Sequence, residues 1–145
     1  MTWPTIPFPD RSIGSLPRPR FVKDLIADDS QLDADEYRRL MGEAIRLARV
    51  VLGLRPDEPA LVALLALMLL QHSRRDARVS DGRLVLLADQ DRTRWHHHEV
   101  AEATRLLAAP CLEGPLTPLT ASYVLQARIA AEHATVSSAE ETRWD

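Results

Sequence analysis

The feature that most constrains this chain is an uninterrupted apolar run, Ala60–Leu70, eleven residues long. It is shorter than the roughly 20 residues that a membrane helix requires. On a helix it leaves no polar side, so it must be buried between other elements rather than laid on a surface. Asp57 ahead of Pro59 supplies an N-cap with proline in the first turn, and the predicted helix carries Leu61, Val62, Leu64, Leu65, Leu67, Met68, Leu69 and Leu70. An all-α domain built around this helix is the expectation.

The flanking segments supply partners for it. Ser30 and Asp33 have the spacing of a capping box, with Asp in place of Glu or Gln. Behind them Tyr37, Leu40, Met41, Ala44, Ile45, Ala48, Val51 and Leu52 recur at helical spacing, opposite Asp35, Glu36, Arg39, Glu43, Arg46 and Arg49. Gly53 can end this helix, and the short connection makes an antiparallel helical hairpin with the apolar helix. Beyond it, Ser80-Asp81-Gly82-Arg83 is a turn signal between Val79 and Leu84–Leu86, so a short β-ribbon is expected near residues 78–87. Asp91 is the expected N-cap of a helix carrying Trp95, Val100, Ala103, Leu106 and Leu107, and a later helix sets Tyr123, Ala127, Ala130 and Ala134 on one face. The expected core also takes in Leu40, Ala44, Ile45, Ala48, Leu61, Leu64, Leu65, Met68 and Leu107.

Residues 1–29 read as an extended arm, since residues 1–22 hold five of the ten prolines. Residues 30–145 read as the helical domain. At the far end Ser137 and Ser138 precede a segment resembling the first residues of another helix, with Trp144 expected at the surface and the edge there open to self-association.

Composition narrows the function. The 145 residues are 46% hydrophobic and 27% charged, as in an ordinary globular domain. The lone Cys111 excludes a disulfide framework and a cysteine-based zinc site. A net charge of −3 gives no reason to expect DNA binding. No secretory signal or membrane span is visible, so a cytoplasmic protein is expected.

No Gly-rich phosphate loop, nucleophile elbow or HExxH pattern occurs, so no enzyme, catalytic residue or cofactor is expected. His96, His97 and His98 suggest a metal, but successive helical side chains point about 100° apart and cannot chelate one ion. His98 and Glu102 at i, i+4 supply too few ligands, and the triplet reads as a polar helix face. The remaining chemistry is a charged stretch, Arg74, Arg75, Arg78, Arg83, Asp89, Asp91, Arg92 and Arg94, with Trp95 at its end. It reads as a possible interaction surface for acidic protein partners, weighed against pairing of these charges with one another across a loop.

Several segments in order carry a resemblance. They are Glu43–Arg49 (EAIRLAR), Pro56–Pro59 (PDEP), Leu64–Leu70 (LLALMLL), Arg74–Arg78 (RRDAR), Gly82–Leu87 (GRLVLL), Asp89–Trp95 (DQDRTRW) and Tyr123–His133 (YVLQARIAAEH). About residues 43–145 resemble the C-terminal helical, tetratricopeptide-like extension of bacterial extracytoplasmic-function RNA polymerase sigma factors. Residues 1–42 resemble neither sigma region two nor region four. The resemblance therefore implies a regulatory, protein-interaction module linked to transcription initiation, not itself promoter-binding, with a sigma factor, RNA polymerase or a second copy as partner. A truncated product without independent function is the alternative, and a small helical metal-binding protein built on His96–His98 is the second.

Overall fold

A computed structural model describes residues 34–80, 83–138 and 141–142. The proline-rich arm, the capping pair Ser30 and Asp33, the turn residues Asp81 and Gly82, and Trp144 lie outside the described residues. From Ala34 onward the described residues form one unit. Its order is α1 (Ala34–Leu54), α2 (Pro59–His72), strands β1 (Val79–Ser80) and β2 (Arg83–Leu84), two single 3-10 turns, α3 (His97–Leu107), a further 3-10 turn, and α4 (Pro118–Ala134). The fold is all-α, with two helical hairpins, α1–α2 and α3–α4, and a two-stranded antiparallel ribbon between them. The ribbon pairs Val79 with Leu84 and Ser80 with Arg83, as the turn signal implies.

α2 is the axis of the fold and packs against α1, α3 and α4. Val62, Ala63, Leu65, Ala66, Leu69 and Leu70 are buried. Its lower half joins Ile45, Trp95, Val100, Ala103, Ala127 and Ala134 in the main core. Its upper half meets Leu112 and Val124 in a second cluster. Ala63, Ala66, Ala103 and Ala127 leave no accessible surface at all. These small side chains let helix backbones approach closely around α2.

Three local expectations are corrected. Pro59 is the first residue of α2, but the capping position is Glu58, whose side chain makes no cap bond. α1 passes through Gly53 to Leu54, and Arg55 N–H closes its end by donating to the Val51 carbonyl at 3.0 Å. Asp91 caps a 3-10 turn, Arg92–Arg94, by accepting from the Thr93 N–H, while α3 begins only at His97. The cause is Trp95, which takes an extended backbone (φ −78°, ψ 144°) that breaks the helix and sends the indole into the core.

The core expectation is corrected on α1. Ile45 is buried and Ala48 and Leu52 pack on the core, yet Tyr37, Leu40 and Val51 are exposed. The apolar band of α1 is wider than the face that α2 covers.

Candidate functional site

The densest polar constellation forms where α2 ends. Ser73 closes the helix: its N–H donates to the Leu69 carbonyl and its Oγ to the Leu70 carbonyl at 2.8 Å. Two tight turns follow, with Arg75 N–H donating to His72 and Ala77 N–H to Arg74. The His96 N–H donates back to the Ser73 carbonyl at 2.9 Å, docking the start of α3 onto this turn.

Arg75 is the hub. Its Nη1 lies 2.8 Å from Glu99 Oε2, 2.9 Å from the His72 carbonyl and 2.8 Å from His72 Nδ1, and its Nη2 lies 2.9 Å from His96 Nδ1. His72 Nδ1 is also 3.1 Å from Glu99 Oε1, and His96 Nε2 is 2.7 Å from Asp76 Oδ2. Counting protons assigns the network. Nη1 has two hydrogens, which go to Glu99 and the His72 carbonyl. His72 Nδ1 then carries a proton and donates it to Glu99. His96 Nδ1 accepts from Arg75, so its proton sits on Nε2 and goes to Asp76. The His72–Glu99 and His96–Asp76 contacts then each have a donor and an acceptor. Burial, the largest influence, holds the His72 pKa below its ordinary value, in keeping with that assignment. Hydrogen bonding to His96 holds Asp76 below the usual carboxylate range.

Beside this hub lies a second arrangement. Trp95 is 3% exposed, and its ring centroid lies 4.9 Å from the Arg92 guanidinium carbon and 5.9 Å from that of Arg74. Such cation–π contacts strengthen when desolvated. Burial, aided by nearby Arg78, pulls Arg74 down to about 10. Arg92 Nη1 donates to the His133 and Val136 carbonyls, tying the turn to the end of α4. Among the described residues, Trp95 Nε1, Arg92 Nη2, Gln90 Oε1 and Thr142 Oγ1 are buried without a hydrogen-bond partner.

The stretch expected as one interaction surface is thus divided. Trp95 is in the core, so a partner cannot reach it. Arg75 is spent on the hub, and Arg92 binds helix-end carbonyls. Arg74 and Arg78 both donate to Gln71 Oε1, and Asp91 is a cap. Arg83, Asp89 and Arg94 are exposed. Pairing within the chain therefore claims most of these charges. Glu102 likewise pairs with Arg49 of α1, at 2.6 and 2.9 Å, rather than with His98. Among the described residues no group of three or more His, Cys, Asp or Glu could hold a metal ion.

The residues that the sequence did not single out are His72, Asp76, His96 as a hub member, and Glu99. Apart from the His72–Arg75 contact, three positions apart, their partners lie 20 to 27 positions away, so local spacing does not announce them. One open groove also stands out, bounded by His97, Val100, Ala101, Thr104 and Arg105 of α3 and Ala108 just after it, with Ala134 and Thr135 at the end of α4. It flanks the second hairpin and is lined mainly by apolar and small side chains.

Residues 28–110 match the model of DUF6596, a family of unknown function. The chain belongs to this family. The DUF6596 segment takes in α1 to α3, every member of the Arg75 hub and Trp95, while α4 lies beyond it. An uncharacterized protein of Rhizobium meliloti (strain 1021) is 43% identical over 107 residues, which cover 73% of this chain and 24% of that protein. The chain thus spans about a quarter of the length of the relative it matches. No solved structure matches it.

Proposed function

We propose that this chain is a protein-interaction module of the sigma-factor-extension type, acting in transcription initiation through a sigma factor or RNA polymerase and without contacting promoter DNA or catalysing a reaction. The groove along α3 and the end of α4 carries the reading. Stacked helical hairpins present such grooves to helices or extended segments of other proteins. The ordered segments from Glu43 to His133 add the link to sigma factors. The part-buried polar hub supports the same division of labour. Its members bond to one another, so it holds α2, α3 and the intervening turn in register, and recognition falls to the surface. Among the described residues no helix is long and apolar enough to cross a membrane. A cytoplasmic location belongs to the proposal.

The test uses the full chain, immobilised, against purified RNA polymerase core and the sigma factors of the same cytosol. Retention of one of them, lost at least about tenfold in an Ala101→Glu/Ala108→Glu variant, is the expected result. Both alanines are exposed, so the variant keeps its fold. No retention of polymerase or any sigma factor contradicts the reading.

A further inference from the structure

The outer face of α1 carries more apolar surface than its own chain covers. Tyr37, Leu40, Leu47, Val50, Val51 and Leu54 are each 42–76% exposed. Five of these, with half-buried Ala44, form a strict stripe: 37, 40, 44, 47, 51 and 54. The steps are three, four, three, four, three, which is the spacing of a helix seam that packs along its whole length. The core-facing residues Ile45, Ala48 and Leu52 lie on a neighbouring line, so α1 has two apolar faces and α2 occupies one.

We propose that this stripe pairs with the same stripe of a second copy, the two α1 helices running antiparallel about a two-fold axis. Neither the link to transcription nor the groove is needed for this inference. Three observations favour a second copy. First, the stripe is self-complementary. Reversed on itself, it sets Tyr37 against Leu54, Leu40 against Val51, and small Ala44 against Leu47, with no two small residues facing each other. A parallel pairing would set Ala44 against Ala44 and leave a gap. Second, the ends match in charge. Exposed Glu36 comes level with exposed Arg55 of the other copy at both ends, and the helix dipoles oppose. Third, the area suffices. At roughly 150–200 Å² per side chain, the exposed fractions leave on the order of 500 Å² per copy, at the top of what a lone monomer shows. Pairing removes about 1,000 Å² from the two copies before flanking polar groups are counted, the lower bound of a specific interface. The association is therefore a weak one.

The test is sedimentation of the full chain across concentration, with Leu47→Asp beside it. Leu47 is half-exposed, so its substitution should leave the helical signal intact. A dimer whose dissociation constant rises at least about 100-fold in Leu47→Asp is expected. In a Cys111→Ser background, Leu40→Cys copies mixed with Val51→Cys copies should form a disulfide between the two kinds, and neither kind alone should. A chain that stays monomeric to about 100 µM overturns the pairing and leaves the stripe to another occupant, residues 1–33 or a different protein. A dimer indifferent to Leu47→Asp, or disulfides formed within each kind of copy, also overturns it.

Discussion

The two ends of α2 hold the fold by different means. From its first turn to Leu70 it is embedded in aliphatic side chains, with Val62, Leu65, Leu69 and Leu70 almost wholly buried. Its final residue, His72, and the turn after it are fixed by a polar hub in which Arg75, Glu99, His72, His96 and Asp76 make contacts of 2.7–3.1 Å. The apolar end depends on volume and tolerates near-isosteric exchange. The polar end depends on direction and tolerates no missing member. A helix that is apolar all round has no preferred rotation of its own, and the hub supplies one by locking its end to α3.

The sharpest way to break this contrast is to remove one charge of the hub. Glu99→Leu leaves the half-buried Arg75 without its carboxylate and is expected to destabilise the chain by about 3–5 kcal/mol in denaturant unfolding. Arg75→Met combined with Glu99→Gln removes both charges, and should recover most of that loss. If the double variant is as unstable as Glu99→Leu, the hub does more than compensate its own burial. Next in size is Leu69→Ala, at about 3 kcal/mol, through the cavity left among closely packed alanines.

A pH series sharpens the comparison further. His72 is neutral in the folded chain with its pKa held below 6.5, and burial likewise lowers His133. Above about 6.5 neither group takes up a proton in either state, so stability there is full. As pH falls through 6.5 toward the lower folded values, the unfolded chain binds protons that the folded chain refuses, and stability declines. The melting temperature should therefore drop between pH 7.5 and 5.5, and His72→Gln should flatten part of that slope. Leu69→Ala should lower the whole curve and leave the slope alone. The smallest effect belongs to the surface pair Arg49–Glu102, where Arg49→Met should change stability by less than about 1 kcal/mol.

What could be read from the sequence follows the same division. The apolar run at 60–70, Pro59 and the turn at 80–83 act locally, and they foretold a buried central helix, its start within one residue, and the ribbon. The extended break at Trp95 escaped, because periodicity runs through it and only the tertiary burial of the indole explains it. On α1 the spacing places Leu40 in the core although it is exposed, since an apolar band states that a face wants cover without stating how much its own chain can provide. Of the site, the arginines were visible as a cluster, but their partners were not. Glu99 looks like any first-turn acid until His72 and Arg75 are brought against it.

The most direct test compares polymerase and sigma-factor retention by three forms of the full chain: unaltered, Ala101→Glu/Ala108→Glu, and Arg75→Met/Glu99→Gln. The expected result is binding by the unaltered chain and by the hub variant, and its loss in the groove variant. Binding lost in the folded hub variant but kept in the groove variant would contradict it, placing recognition in the hub instead of on the surface.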